Sequence, residues 1–426
     1  MREIAILLGM VVRGLPATLL QPWEFPFFWV LVVLVAFQYR RVADNERRIY
    51  GVNKNNPLWQ LGVACLFGLG AGLVASMLMA ILGVSLSGAG VMWLLPLALL
   101  LLAVNPRLMC FSYAGGIIAV SHLLFGWPEV YVPAIMALVA VLHITESLLI
   151  YLRGSACITP VVVRSEEKQA TRTGFLMQGF WPLPLLLLFV ITLPPGAPRE
   201  GLMEMPTWWP LIVPPAEVIS QENAVFTLFP VAAVLGYGDL AARHGPDLKA
   251  HRSAWFLLGY SVVLLGLSVL SSHLPAWMWL AALWGPLGHE LVVRHGAKGE
   301  FEAQAAVRPA VDGLAILDVL PRSGAARAGL ETNDVLLLAN GRPVPTVEAL
   351  GQILAMQGQG MLPVVVRRGD ATRELQIELR PMEPDGQPSL GIIPVPPEGT
   401  PPHMEIRMRG NLAGFLSRVR EWWARS

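Results

Sequence analysis

The sequence predicts a polytopic α-helical membrane domain of about nine spans followed by a small α+β domain. Three observations carry this reading. Apolar residues make up 54% of the 426 and charged residues only 14%, a balance foreign to soluble globular chains. Apolar runs approaching the roughly 20 residues that cross ~30 Å of hydrocarbon recur between positions 25 and 290. Beyond residue 305 the runs shorten to strand length, separated by Gly, Asn and Asp turns.

This gives residues 1–24 as an interfacial N-terminal segment, 25–290 as a multi-spanning domain, 305–396 as the small domain, and 397–426 as a Pro-rich linker and basic amphipathic tail helix. Residues 3–22 are apolar but hold Arg13-Gly14 and Pro16, which suits a helix lying in the interface. Spans are expected at 25–39, 57–83, 91–104, 108–126, 130–151, 175–194, 223–240, 255–271 and 274–290. The first and third are short enough to be tilted or re-entrant. Trp23, Trp59, Trp127 and Trp208 fall near span ends, where an indole suits the headgroup layer.

Orientation follows from the loops. If every span crosses, fifteen basic residues, Arg40, Arg153, Lys249 and Lys298 among them, share one side, against Arg2, Arg13 and Arg199 on the other. Basic loops resist translocation, so the rich side is cytoplasmic, and the small domain that starts just after Lys298 faces it. The net charge of +1 leaves nucleic acid without an electrostatic footprint, so no such partner is expected.

Chemistry is sparse. Cys65, Cys110 and Cys157 are too far apart for a disulfide framework or a metal knuckle. His289-Glu290-Leu291-Val292-Val293-Arg294-His295 has the flavour of a zinc protease helix, but that motif needs histidines at i and i+4, and here i+4 is Val293. A helix end with His289 and Glu290 hydrogen-bonded near the interface is the plainer reading. His143 and Glu146 share one face of the fifth span, as a polar clasp between helices or, less simply, as an ion path. The expectation is no catalytic residue, no metal and no cofactor.

In the small domain, Leu314, Ile316, Asp318 and Leu320 alternate with Ala315, Leu317 and Val319 along a strand. Asp334–Ala339 is a second strand closing at Asn340-Gly341. Thr346 caps a helix with apolar Val347, Leu350, Ile353, Leu354 and Met356, and a hairpin turns at Arg368-Gly369-Asp370. The order Asp312-Gly313 to Pro321, Ser323-Gly324 to Gly329-Leu330, Asn333-Asp334-Val335, Asn340-Gly341 resembles a PDZ domain of the bacterial type. That resemblance implies peptide capture as an added strand in a groove between the 314–320 strand and the 346–357 helix. Asp312, Gly313, Leu314, Ala315, Ile316 and Leu317 would line one wall, and Val347, Leu350, Ile353 and Leu354 the other. The family's loop offers backbone amides to a terminal carboxylate. Asp312-Gly313-Leu314-Ala315 departs from the apolar-Gly-apolar-apolar pattern of eukaryotic members, and Asp312 repels a carboxylate. A free C-terminus and an internal segment both stay open as occupants.

In the tail, Phe415, Trp422 and Trp423 fall on one helical face with Arg418 directed away. The anionic leaflet of a lipid bilayer is one partner for such a helix, the surface of the small domain another. Finally, Gln21-Pro22, Phe27-Phe28-Trp29, Tyr39-Arg40-Arg41-Val42, Glu46-Arg47-Arg48 and Gly288-His289-Glu290 resemble MinJ-type membrane proteins of Gram-positive rods. By that resemblance the chain is a non-enzymatic scaffold of the cell membrane, at septum and poles. It would bind division proteins, joining DivIVA to MinC and MinD. A PDZ-regulated intramembrane protease, and a transporter or sensor working through His143 and Glu146, are the rival expectations.

Overall fold

Prolines and glycines set the boundaries of the helices. The computed structural model describes the chain apart from residues 1, 22, 24, 88, 106, 107, 109, 166–169, 195–202, 216, 217, 219–222, 303–306, 308, 383–386, 398, 399, 401–403 and 407–426. Helices α1 (Arg2–Leu19), α2 (Pro26–Tyr50), α3 (Pro57–Leu82), α4 (Leu94–Val104), α5 (Phe111–Phe125), α6 (Val132–Arg153), α7 (Pro246–His273) and α8 (Met278–Glu302) form the first part. A proline in the first turn opens α2, α3, α6 and α7, where a missing N–H costs nothing. Gly51 and Gly83, both at positive φ, close α2 and α3. α1 buries Ile4, Leu7, Val11 and Leu15, the one-face spacing of an amphipathic helix, and packs on α3.

Among the described residues, four helices (α2, α3, α6 and α7) are long and apolar enough to cross a membrane, against the nine spans expected. α4 and α5 are shorter. The expected helices at 175–194 and 223–240 are instead strands. β2 (Ala170–Thr192) and β3 (Ala224–Ala241) pair antiparallel from Phe175–Ala241 to Thr192–Ala224. β1 (Ile158–Ser165) adds to the start of β2, and β11 (Met404–Ile406), arriving after the small domain, lies parallel to β1.

The reason lies in the second edge of β2. Pro182 and Pro184 would each break a helix, but in a strand they are two apart and leave the same edge without N–H groups to satisfy. α3 occupies that edge. A Cβ on Gly68 would come within 2.2 Å of the Pro182 carbonyl oxygen, and one on Gly72 within 2.2 Å of the Pro184 oxygen. One turn further on, Ser76 Oγ accepts the Leu186 N–H at 2.9 Å and donates to the Gly72 carbonyl. Four helical residues rise about 6 Å, close to two strand residues, so the helix and strand keep step. The Tyr39 hydroxyl exchanges hydrogen bonds with both backbone groups of Phe180, and Ser87 Oγ takes the Val190 N–H at 2.7 Å. Strand backbone surrounded by apolar helices survives only when its polar groups are satisfied in this way.

The small domain holds β4 (Leu314–Val319), short α9 (Gly324–Arg327), β5 (Val335–Ala339), β6 (Arg342–Pro343), α10 (Val347–Gln357), β7 (Gly360–Arg368), β8 (Ala371–Met382), β9 (Gln387–Ser389) and β10 (Ile392–Pro394). Strand order is β10-β4-β5-β7-β8-β9, with β6 on β5. Leu314, Ile316, Leu336, Val364, Val366 and Ile377 from the sheet meet Leu350 and Ile353 from α10 in its core. The opposite face of β4 and β10, through Ala315, Leu317, Ile393 and Val395, joins the apolar cluster of the helical part. Lys54, in the α2–α3 turn, pairs with Asp318 of β4 across that contact.

Candidate functional site

Strand addition needs an unpaired edge, and β4 has none. β5 holds one side through Leu314–Leu336 and Ala315–Val335, and β10 holds the other through Val319–Ile392 and Asp318–Ile393. The groove wall expected at 314–320 is therefore corrected. Leu314 and Ile316 point into the domain core, Ala315 and Leu317 into the contact with the helices. Nor is Asp312-Gly313 a carboxylate cradle. Arg367 grips Asp312 through both guanidinium nitrogens, a hydrogen bond that holds the Asp312 carboxyl below its ordinary value. Gly313 instead permits a close backbone approach, since a Cβ there would meet the Leu336 carbonyl at 2.6 Å.

The sheet ends in β9 at one side and β10 at the other, and the edge next to β4 belongs to β10. The Gly391 carbonyl accepts from Leu320 N–H at 2.8 Å, so Gly391 and Ile393 turn their polar groups toward β4. Ile392, between them, turns its N–H and C=O outward. No strand pairs with that side among the described residues. Leu390 and Ile392 share a core with Leu350, Ile353 and Leu354 of α10, so β10 lies beside α10. Of the α10 positions expected there, Leu350 and Ile353 are buried core, Leu354 is half-buried and Val347 is exposed. Sequence reasoning missed β10, although Leu390-Gly391-Ile392-Ile393 is itself the apolar-Gly-apolar-apolar pattern found wanting at Asp312. Gly391 earns its place through φ +79° and Ser323 packed where a Cβ would go. A cavity of about 270 Å³ opens beside it, lined by Asn53 and Lys54 of the α2–α3 turn and by Arg322, Ser323 and Ser389. The tail residues Phe415, Arg418, Trp422 and Trp423 lie outside the described residues.

A second constellation forms among the helices. Cys110, the N-cap of α5, sets its Sγ 3.2 Å from His143 Nε2 on α6 and 3.7 Å from His289 Nε2 on α8. Glu146 Oε2 lies 3.9 Å from the same His143 nitrogen. Tyr113 and Tyr260 close around the two rings, edge-on to His289 and to His143 with centroids 5.3 and 5.7 Å away. Close packing brings the helices together: a Cβ on Gly116 of α5 would strike Pro286 of α8 at 2.3 Å. Among the described residues, Cys110, His143 and His289 bring their ligand atoms within 4.8 Å of one another, close enough to hold a metal ion. The zinc-protease resemblance of 289–295 does not describe them. Glu290 is taken by Tyr113 and Arg294, and His295 packs on Phe256.

Comparison with known proteins places these sites in context. The chain is 25% identical over 352 residues to the cell division topological determinant MinJ of Bacillus subtilis, covering 76% of this chain and 81% of MinJ. It is 28% identical over 94 residues to the serine endoprotease DegS of Salmonella typhimurium, covering 22% of this chain and only 25% of DegS. Two solved PDZ domains of SdrC-like proteins are also similar. That of Listeria monocytogenes is 20% identical, covering 21% of this chain and 94% of the domain, with TM-score 0.19. That of Listeria innocua is 21% identical, covering 20% and 93%, also with TM-score 0.19. No family model matches the chain.

Proposed function

This chain is a MinJ-type protein with a PDZ-like domain, and on that premise we propose that it is a membrane-anchored scaffold for the division machinery. The observation that carries the reading is the outward-facing backbone of Ile392, on a strand edge beside α10 that none of the described residues pairs. An extended protein segment adds there as an eighth strand, its main chain bonded to β10 and alternate side chains set against α10. The same helices that hold the domain at the bilayer are its anchor, and the scaffold performs no chemistry on what it holds. Arg294 and Lys298 stand just ahead of the domain, and because basic residues resist translocation the domain works in the cytoplasm. Division proteins such as DivIVA and MinD, implied by the MinJ resemblance, are the first occupants to try.

The test is a chain lacking residues 305–426 expressed in place of the whole. Loss of division proteins from septum and poles, with the helices still inserted, supports a scaffold. Undisturbed placement of every division protein counts against it.

A further inference from the structure

Two consecutive helices, α5 and α6, and a third, α8, more than a hundred residues on, each deliver one nitrogen or sulfur ligand to a single point. We infer that Cys110, His143 and His289 bind one zinc-class divalent cation. The distances fit. Zn–S near 2.3 Å and Zn–N near 2.05 Å give tetrahedral S···N edges of about 3.6 Å. The corresponding separations from Cys110 to the two imidazoles are 3.2 and 3.7 Å.

The surroundings orient His143 and Cys110 as metal sites require. His143 Nδ1 lies 2.8 Å from the Val139 carbonyl, which only accepts, so Nδ1 carries the hydrogen and Nε2 presents a lone pair to the site. Cys110 Sγ accepts the Ser112 N–H at 3.4 Å from the first turn of α5, which fixes the direction of the sulfur. Ser112 in turn holds Tyr260 and the Gly285 carbonyl, fixing α5 against α7 and α8. Mixed thiolate and imidazole ligation selects zinc and its neighbours over magnesium or calcium. The three ligands pin α8, the helix that leads directly into the PDZ-like domain, to α5 and α6.

The rival arrangement is a metal-free hydrogen-bonded chain from His289 through the thiol to His143. The full-length chain, purified in detergent without chelator, is assayed for metal by mass spectrometry and, after exchange, for cobalt absorption. About one zinc per chain is expected, falling roughly tenfold in Cys110→Ser and His289→Ala and unchanged in Cys65→Ser. Cobalt-loaded wild-type chain should show thiolate-to-metal charge transfer, a readout that needs no variant to fold. Metal-free wild-type chain that takes up no zinc, zinc retained by Cys110→Ser, or cobalt bound without charge transfer would each overturn the site.

Discussion

Gly72 of α3 faces the carbonyl of Pro184 so closely that a Cβ would stand 2.2 Å from its oxygen. Helix and strand here meet backbone to backbone, which makes the size of single residues decisive. Gly68→Ala and Gly72→Ala should each destabilise the full chain by about 1–3 kcal/mol, because backbone rather than a flexible side chain must yield. Gly70→Ala, with nothing within 4 Å, should be neutral or slightly stabilising through helix propensity. Thermal unfolding in detergent separates the pair.

Ser76 satisfies the Leu186 N–H on the same edge. Ser76→Ala leaves that donor buried without a partner, at a cost of about 1–3 kcal/mol. Hydrogen exchange should register faster loss of protection at Leu186 than at Leu185 or Leu187, whose amides face the other way.

Inside the PDZ-like domain Arg368 binds Asp334 through two nitrogens, and Asp334 is 1% exposed. Arg368→Met would strand a buried carboxylate, costing about 3–5 kcal/mol. Pairing it with Asp334→Asn should recover part of that loss in denaturant unfolding. A double variant as unstable as the single one would mean the ion pair is not the cause.

Glu300 gathers the N–H groups of Ala242 and Arg243 and sits beside Lys249 and His244, tying the end of α8 to the end of β3. Burial pushes its carboxyl up, but those backbone hydrogen bonds, Lys249 and His244 together hold it below the ordinary 4.5. A depressed carboxylate contributes stability that is full above about 4.5 and lost as pH falls through the lower folded value. The stability gap between wild type and Glu300→Gln should therefore be constant from pH 7 to 5 and shrink below 4.5. A gap that widens with acid would reverse the assignment.

What the sequence discloses follows from what periodicity can carry. Long apolar runs announce α2, α3, α6 and α7, and Thr346 announces the cap of α10, where it accepts the Ala349 N–H. The Leu-rich stretch 185–188 reads alike as helix or strand. Only Pro182 and Pro184, two apart, carried the signal for β2, and its meaning depends on Gly68 and Gly72 over a hundred residues earlier. The PDZ resemblance implies a groove at β4, yet neither resemblance nor alternation tells a central strand from an edge one. The meeting of Cys110, His143 and His289 is created by packing, and no spacing within one helix encodes it.

The most direct measurement places a photo-crosslinking amino acid at Val347, 42% exposed on the α10 rim, in the full chain in cells. A discrete division-protein adduct is expected there and none from Val311, which is fully exposed beyond the groove. Ile392→Pro removes the outward N–H while sparing the β10–β4 ladder, and should abolish the adduct. An adduct that persists in Ile392→Pro, or forms equally at Val311, would contradict peptide capture along β10.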